Sequence, residues 1–219
     1  MSMPRRRTGV VSSVSAAFRR CMVCSIVGCV VAAGFPAATA LAYPTPSSVP
    51  TRWQLNFKSG ELRLYVDPAT NDAYWWFTYK VTNFTGNERY WAPRLTLFTD
   101  RGEIMDAGQA VPPRIERELI AYMGNELLER QNTVIGKIFV GEPNAIEGLA
   151  VWPAERLDAS RMSLFVTGIS GETVEVTDPV TGSKVIMQKT LQRDYLVPGD
   201  PLARGDSPAE VQGERWVMR

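Results

Sequence analysis

Histidine is absent from the 219-residue chain, and its three cysteines, Cys21, Cys24 and Cys29, all fall within the first 42 residues. With residues 1–42 set aside, no Ser-His or Cys-His pair, no thiol nucleophile and no His- or Cys-based zinc site can be assembled. A disulfide is excluded from the same stretch, although an oxidising compartment would permit one. A basic excess is missing as well. The first 42 residues hold Arg5, Arg6, Arg7, Arg19 and Arg20 and no acid, which leaves 19 of the 24 basic residues against 23 acids, a net of −4. Such a domain carries no electrostatic footprint for nucleic acid. No catalytic motif stands out and no cofactor is expected.

The apolar stretch from Cys21 to about Gly34 is too short for a spanning helix, which needs ~20 residues. It follows a basic segment, is broken by Pro36, and leads to Ala40-Leu41-Ala42. That order is a signal peptide, with cleavage expected between Ala42 and Tyr43. Two other leaders are open. Ile26-Val27-Gly28-Cys29 resembles a lipoprotein box that would lipidate Cys29, although apolar residues continue beyond it. Arg19-Arg20 resembles a twin-arginine pair, although paired Arg is ordinary in such segments. Each of these places the domain outside the cytoplasm, periplasmic, envelope-associated or secreted. A membrane is then reached only through the leader or a lipid.

Residues 43–51 form a Pro/Ser linker without core residues, read as a tether. The domain is expected over 52–197, and 198–219 is read as a polar, poorly ordered tail. Trp216 and Val217 are the feature of that tail able to dock back.

Across 52–197 the hydrophobic period is mostly two, the period of a strand. Trp53, Leu55 and Phe57 alternate with polar residues. Ser59-Gly60 reads as a tight turn, and Leu62, Leu64 and Val66 follow. Tyr74–Thr82 is the strongest strand, and Arg94–Thr99 turns at 100–102 into 103–107. Further strands are expected at Thr133–Val140, Gly148–Trp152, Met162–Thr167, Thr173–Thr177 and Lys184–Leu196. Asp178–Ser183 reads as the turn of a hairpin. One stretch has helical spacing instead. Ile115, Leu119, Ile120, Met123, Leu127 and Leu128 mark an amphipathic helix over about 113–130, with Arg114 and Glu118 an i,i+4 pair and Gly124 a point where it could break. The fold class expected is mainly β, an antiparallel sandwich with that one helix laid on it.

Tyr79-Lys80-Val81-Thr82-Asn83-Phe84-Thr85-Gly86, followed by Leu95-Thr96-Leu97-Phe98-Thr99-Asp100-Arg101-Gly102, resembles the core of secreted immunoglobulin-like bacterial domains, largely of unknown function. The resemblance covers roughly residues 73–105. It implies an immunoglobulin-like sandwich and export, and it implies no catalytic residues. The helix and the lack of a disulfide pair depart from the plain pattern.

Alternation assigns Trp75, Phe77, Tyr79 and Val81 to the core, and Leu95 and Leu97 likewise. Tyr74, Trp76, Thr78 and Lys80 then face the other way, as do Arg94, Thr96 and Phe98. Were Thr82 paired with Arg94, Trp76 would lie diagonal to Phe98. Tyr74, Trp76 and Phe98 would form an outward patch edged by Lys80 and Arg94. Such a patch fits a protein partner or a sugar ring. The competing reading lays the helix or the Pro-rich arm over this face, because an amphipathic helix needs an apolar surface.

Other motifs have ordinary readings beside functional ones. Asn83-Phe84-Thr85 is a formal glycosylation acceptor and also a turn. Asp100, Glu103 and Asp106 are acids around one hairpin turn, where solvent-facing acids are the norm. Asp67, Asn71 and Asp72 lack calcium-loop spacing. Arg204-Gly205-Asp206 matches the adhesion tripeptide, a match that chance readily produces. The reading favoured is an exported, non-enzymatic domain that binds an envelope protein or has a structural role there; a carbohydrate-binding module is the alternative, and an enzyme using carboxylates, Lys or Tyr is a third.

Overall fold

The computed structural model describes residues 43–219. The expected leader, with the cleavage expected after Ala42 and the lipidation considered at Cys29, lies outside the described residues. In chain order the elements are β1 (Asn56–Val66), β2 (Ala73–Thr82), β3 (Arg89–Trp91), β4 (Arg94–Thr99), β5 (Ile104–Asp106), α1 (Pro113–Met123), β6 (Leu128–Arg130), β7 (Gly136–Ile138), β8 (Ile146–Pro153), β9 (Arg161–Thr167), β10 (Thr173–Thr177), β11 (Lys184–Leu196) and β12 (Glu210–Met218). The domain is mainly β, with one α-helix.

Two sheets share a core. One has the order β1-β2-β8-β6; the other runs β10-β11-β9-β4-β5, with β12 added to β11. Leu62, Phe77, Tyr79, Val81 and Trp152 of the first meet Leu95, Leu97, Leu164, Val166 and Leu191 of the second. The inward faces assigned by alternation to β2 and β4 are the faces that meet. A separate ribbon, β3 with β7, closes one side through the fully buried Trp91 and Ile138.

The strong aromatic character of β2 has a simple cause: both of its faces are covered. Trp75, Phe77, Tyr79 and Val81 enter the shared core. Tyr74 and Trp76 enter a second cluster with Ile115, Leu119, Leu128, Leu149 and Val151. The helix lies over this outer face of the sheet. Pro113 opens it with a preset φ, and Gly124 at φ 61° ends it in the left-handed conformation that favours glycine.

Several sequence expectations need correction. The helix stops at Met123, not near 130. Beyond Gly124 the Asn125 side chain accepts from the Leu127 N–H at 3.0 Å, and Leu128–Arg130 becomes β6, which pairs in parallel with β8. The domain is therefore not wholly antiparallel. Ser59-Gly60 is a bulge inside one long strand, not a turn. A Cβ on Gly60 would lie 2.4 Å from Thr78 O, so only glycine lets β2 pass. The tail is a strand: β12 pairs with β11 along Lys189–Leu196. Finally, β2 pairs with β1 and β8 and never with β4, which lies in the other sheet.

The Pro/Ser segment is also docked rather than free. Lys189 is buried, and its Nζ donates to Ser47 O at 2.8 Å and lies 3.2 Å from Glu172 Oε2. The Ser47 N–H donates to Glu172 Oε1 at 2.8 Å. The Lys189 ammonium also sits 5.0 Å from the Trp216 ring centre. Trp216 thus docks back onto the domain.

Candidate functional site

The five expected binding residues separate into two groups. Tyr74 and Trp76 are 5% and 6% exposed beneath α1, so they form no outward platform. The amphipathic helix has taken the apolar surface that its own face requires. Lys80, on the same side of the sheet, lies 3.5 Å from Glu142 and 3.4 Å from Glu147. It borders a pocket of about 410 Å³ with Thr78, Asn125 and Glu147.

Arg94 and Phe98 lie on the outer face of the six-stranded sheet. The register places Thr96 opposite Phe165 and Gln192 opposite Phe165 from the other side, so these side chains share one face. Phe98 and Phe165 are 5.0 Å apart, and the Arg219 guanidinium sits 4.4 Å and 4.3 Å from their ring centres. Both rings are therefore already engaged by a cation. Arg94 binds Asp106 through Nε at 3.1 Å and Nη2 at 2.6 Å, and Thr96 Oγ1 donates to Asp106 Oδ1 at 2.7 Å. The Arg94 bond, with Thr96, holds the Asp106 carboxyl below its ordinary range against the opposing effect of burial. Burial and the neighbouring Arg94 pull the Arg219 guanidinium below its usual value. Arg94, Thr96, Ile104, Thr167, Ile186, Gln188 and Arg219 line a cavity of about 450 Å³ on this face.

The remaining motifs have structural partners. Asp100 accepts from the Ser160 N–H at 3.1 Å, and Glu103 accepts from Thr99 Oγ1 at 3.0 Å. With Asp106 held by Arg94, the three acids have separate partners. Asp67 accepts from the Ala69 N–H and Thr70 Oγ1 and is paired with Arg114, tying its turn to the helix. The Asn83 amide is fully buried and donates to Asn87 O and Ile138 O. Arg204 donates to Pro198 O and Pro208 O, and Asp206 accepts from Tyr122. Among the described residues no group of three His, Cys, Asp or Glu side chains is placed to hold a metal ion. No helix among them is long and apolar enough to cross a membrane.

Compared with family models, with curated proteins and with solved structures, the chain finds no match.

The feature that sequence reasoning missed is the hairpin of β10 and β11. The Asp178–Ser183 turn was expected; its exposure was not. β9 and β10 lie along the same edge of β11, at Leu191–Leu196 and Lys184–Gln188 respectively. Between them, residues 168–172 leave the sheet to bond Trp53 and Leu55 near the start of the domain. Past Gln188 the hairpin therefore stands off the domain as an arm. Val180, Val185 and Ile186 on it are 90%, 43% and 66% exposed. The cross-strand register puts Val174 opposite Met187 and Val176 opposite Val185. One side of the arm is thus an aliphatic stripe. Alternation within Thr173–Thr177 was the available signal, since a strand with one polar and one apolar face needs cover on the apolar side.

Proposed function

We propose that this is an exported, non-enzymatic interaction domain of immunoglobulin-like sandwich type, and that the β10–β11 arm is its binding element. The arm carries the reading. A two-stranded ribbon is marginal on its own, and natural sheets blunt, cover or use their open edges. Here aliphatic side chains and open backbone edges occur together, the combination that suits association with a protein.

Several observations support the rest. The leader has the order of an export signal. The domain lacks the His and Cys of Ser-His and Cys-His catalysis, and the acids near its hairpin turn are engaged by Arg94, Thr99 and Ser160. The carbohydrate-binding alternative depended on Tyr74, Trp76 and Phe98 as an open platform. The first two are under the helix and the third faces Arg219, so this alternative has lost its strongest support.

A photo-crosslinking side chain at Val180, in the full chain produced by its own cells, tests the reading. The expected result is a recurrent protein adduct from Val180 and none from the same probe at Thr70, together with an intact mass that begins at Tyr43. Enrichment with cell-wall glycan and no protein adduct would overturn it.

A further inference from the structure

We propose that two copies of this chain associate through the outer edge of β10, pairing antiparallel about a two-fold axis at Glu175. This rests on the reading of the arm as the binding element and names its partner.

The free backbone groups follow from the ladder. The Lys189 N–H donates to Glu172 O at 2.9 Å, and the Asp178 N–H donates to Ser183 O at 2.8 Å. Both pairs lie on the register that sets Thr173 opposite Gln188 and Thr177 opposite Lys184. Hydrogen-bonded pairs alternate along an antiparallel ladder. Residues 172, 174, 176 and 178 therefore bond inward to β11. Thr173, Glu175 and Thr177 turn their N–H and C=O groups outward, and β11 is the only strand paired with β10 among the described residues.

The outward strand reads Thr-Val-Glu-Val-Thr, the same in both directions. A two-fold at Glu175 matches Thr173 with Thr177 of the second copy and Glu175 with itself, and all three positions present outward backbone groups. Val174 then meets Val176 of the second copy at the close, non-hydrogen-bonded positions, where β-branched pairs pack well. Val185 and Met187 extend this contact, so the aliphatic stripes of the two arms merge across four strands.

The apparent obstacle is Glu175 opposite Glu175, since like charges directly opposite repel. Lys184 answers it: its Nζ lies 2.7 Å from Glu175 Oε1. The axis would gather two carboxylates and two ammonium groups, a neutral set. The other open edge, on β11, is shorter: Lys184 and Ile186 face outward, but Gln188 beyond them is already paired, its N–H donating to Arg219 O at 2.7 Å and its O accepting from the Arg219 N–H at 3.0 Å.

Sedimentation velocity across a concentration series of the purified protein tests the proposal. The expected result is a reversible dimer. Glu175→Pro deletes one N–H that faces only the second copy, and proline is tolerated on such an edge. It should give a monomer with an unmoved melting curve. Lys184→Glu should weaken the dimer about tenfold or more by gathering four acids, and Glu175→Lys combined with Lys184→Glu should restore it even if Glu175→Pro unfolds the arm. A monomer at every concentration overturns the proposal, as does a dimer indifferent to these charges. A monomeric protein that still forms the Val180 adduct with a different protein sinks self-association alone. A monomer with no adduct sinks the binding-arm reading too.

Discussion

Replacing Trp76 with alanine should destabilise the domain rather than blunt a binding face. Trp76 is 6% exposed and packs with Ile115 and Leu119 of the helix and with Leu149 and Val151 of β8. A buried tryptophan removes 150–250 Å² from water, worth about 4–6 kcal/mol at ~25 cal/mol per Å², an upper bound. Partial collapse of the site returns some of this, and measured Trp→Ala costs centre on about 3–5 kcal/mol. For a domain of this size 1 kcal/mol moves the melting temperature by about 2–4 °C. A loss near 4 kcal/mol therefore lowers it by roughly 8–16 °C. Thermal and urea melts followed by circular dichroism measure both quantities. Phe98→Ala is the internal comparison. Phe98 is half-buried on the other sheet, and its loss forfeits an aromatic pair of ~0.5–1.5 kcal/mol together with modest burial. The ordering is the decisive result, with Trp76→Ala well below Phe98→Ala. A Trp76→Ala protein that melts like wild type would refute the reasoning, because it would mean that the helix does not seal this face.

Gly148→Ala should cost about 1–3 kcal/mol by overpacking, since the new Cβ would lie 2.1 Å from Tyr79 Cζ; pairing it with Tyr79→Leu should recover part of the loss in urea melts. Lys189→Met should cost about 3–5 kcal/mol, because Glu172 stays behind with its cation gone; Lys189→Met with Glu172→Gln should be milder than the single change. The Arg114 bond, followed by that of Thr70, holds the Asp67 carboxyl well below the usual carboxylate range. The folded value lies under the unfolded one, so this stabilisation is complete above the ordinary carboxylate pKa of about 4 and is lost as pH falls towards the folded value. Asp67→Asn should lower stability at neutral pH and flatten the acid limb of a melting-temperature profile, while a variant whose acid limb matches wild type would exclude this role.

Strand faces were legible where a face has one kind of neighbour. Leu95 and Leu97 against Arg94, Thr96 and Phe98 read correctly because the outer face of β4 stays polar or half-open. Tyr74 and Trp76 were ambiguous because β2 is covered twice, and a strand buried on both faces has no alternation to report. Strand pairing was legible across tight turns, as at 100–102 and Asp178–Ser183, but not between strands distant in sequence. Whether β2 pairs with β4 or β8 depends on contacts between residues far apart in the chain, as between Trp76 and Val151, and no local signal encodes them. β12 escaped notice for the opposite reason. Residues 210–215 are exposed on both sides, so the strand is held by the β11 ladder and by Trp216 and Met218 at its end. The helix end at Gly124 was readable in principle, since a glycine after an apolar periodic run is a stop signal.

The length of β11 has a mechanical consequence. Its 13 residues run without interruption from the core to the arm, about 43 Å at 3.3 Å per residue. Its core half is clamped between β9 on one edge and β12 on the other. A pull on the arm along the strand axis loads these two ladders in shear, so their rungs strain together instead of opening one by one. The same pull draws on residues 168–172, whose bonds to Trp53 and Leu55 stitch the two sheets. Tension at the hairpin is thereby shared by both layers of the domain.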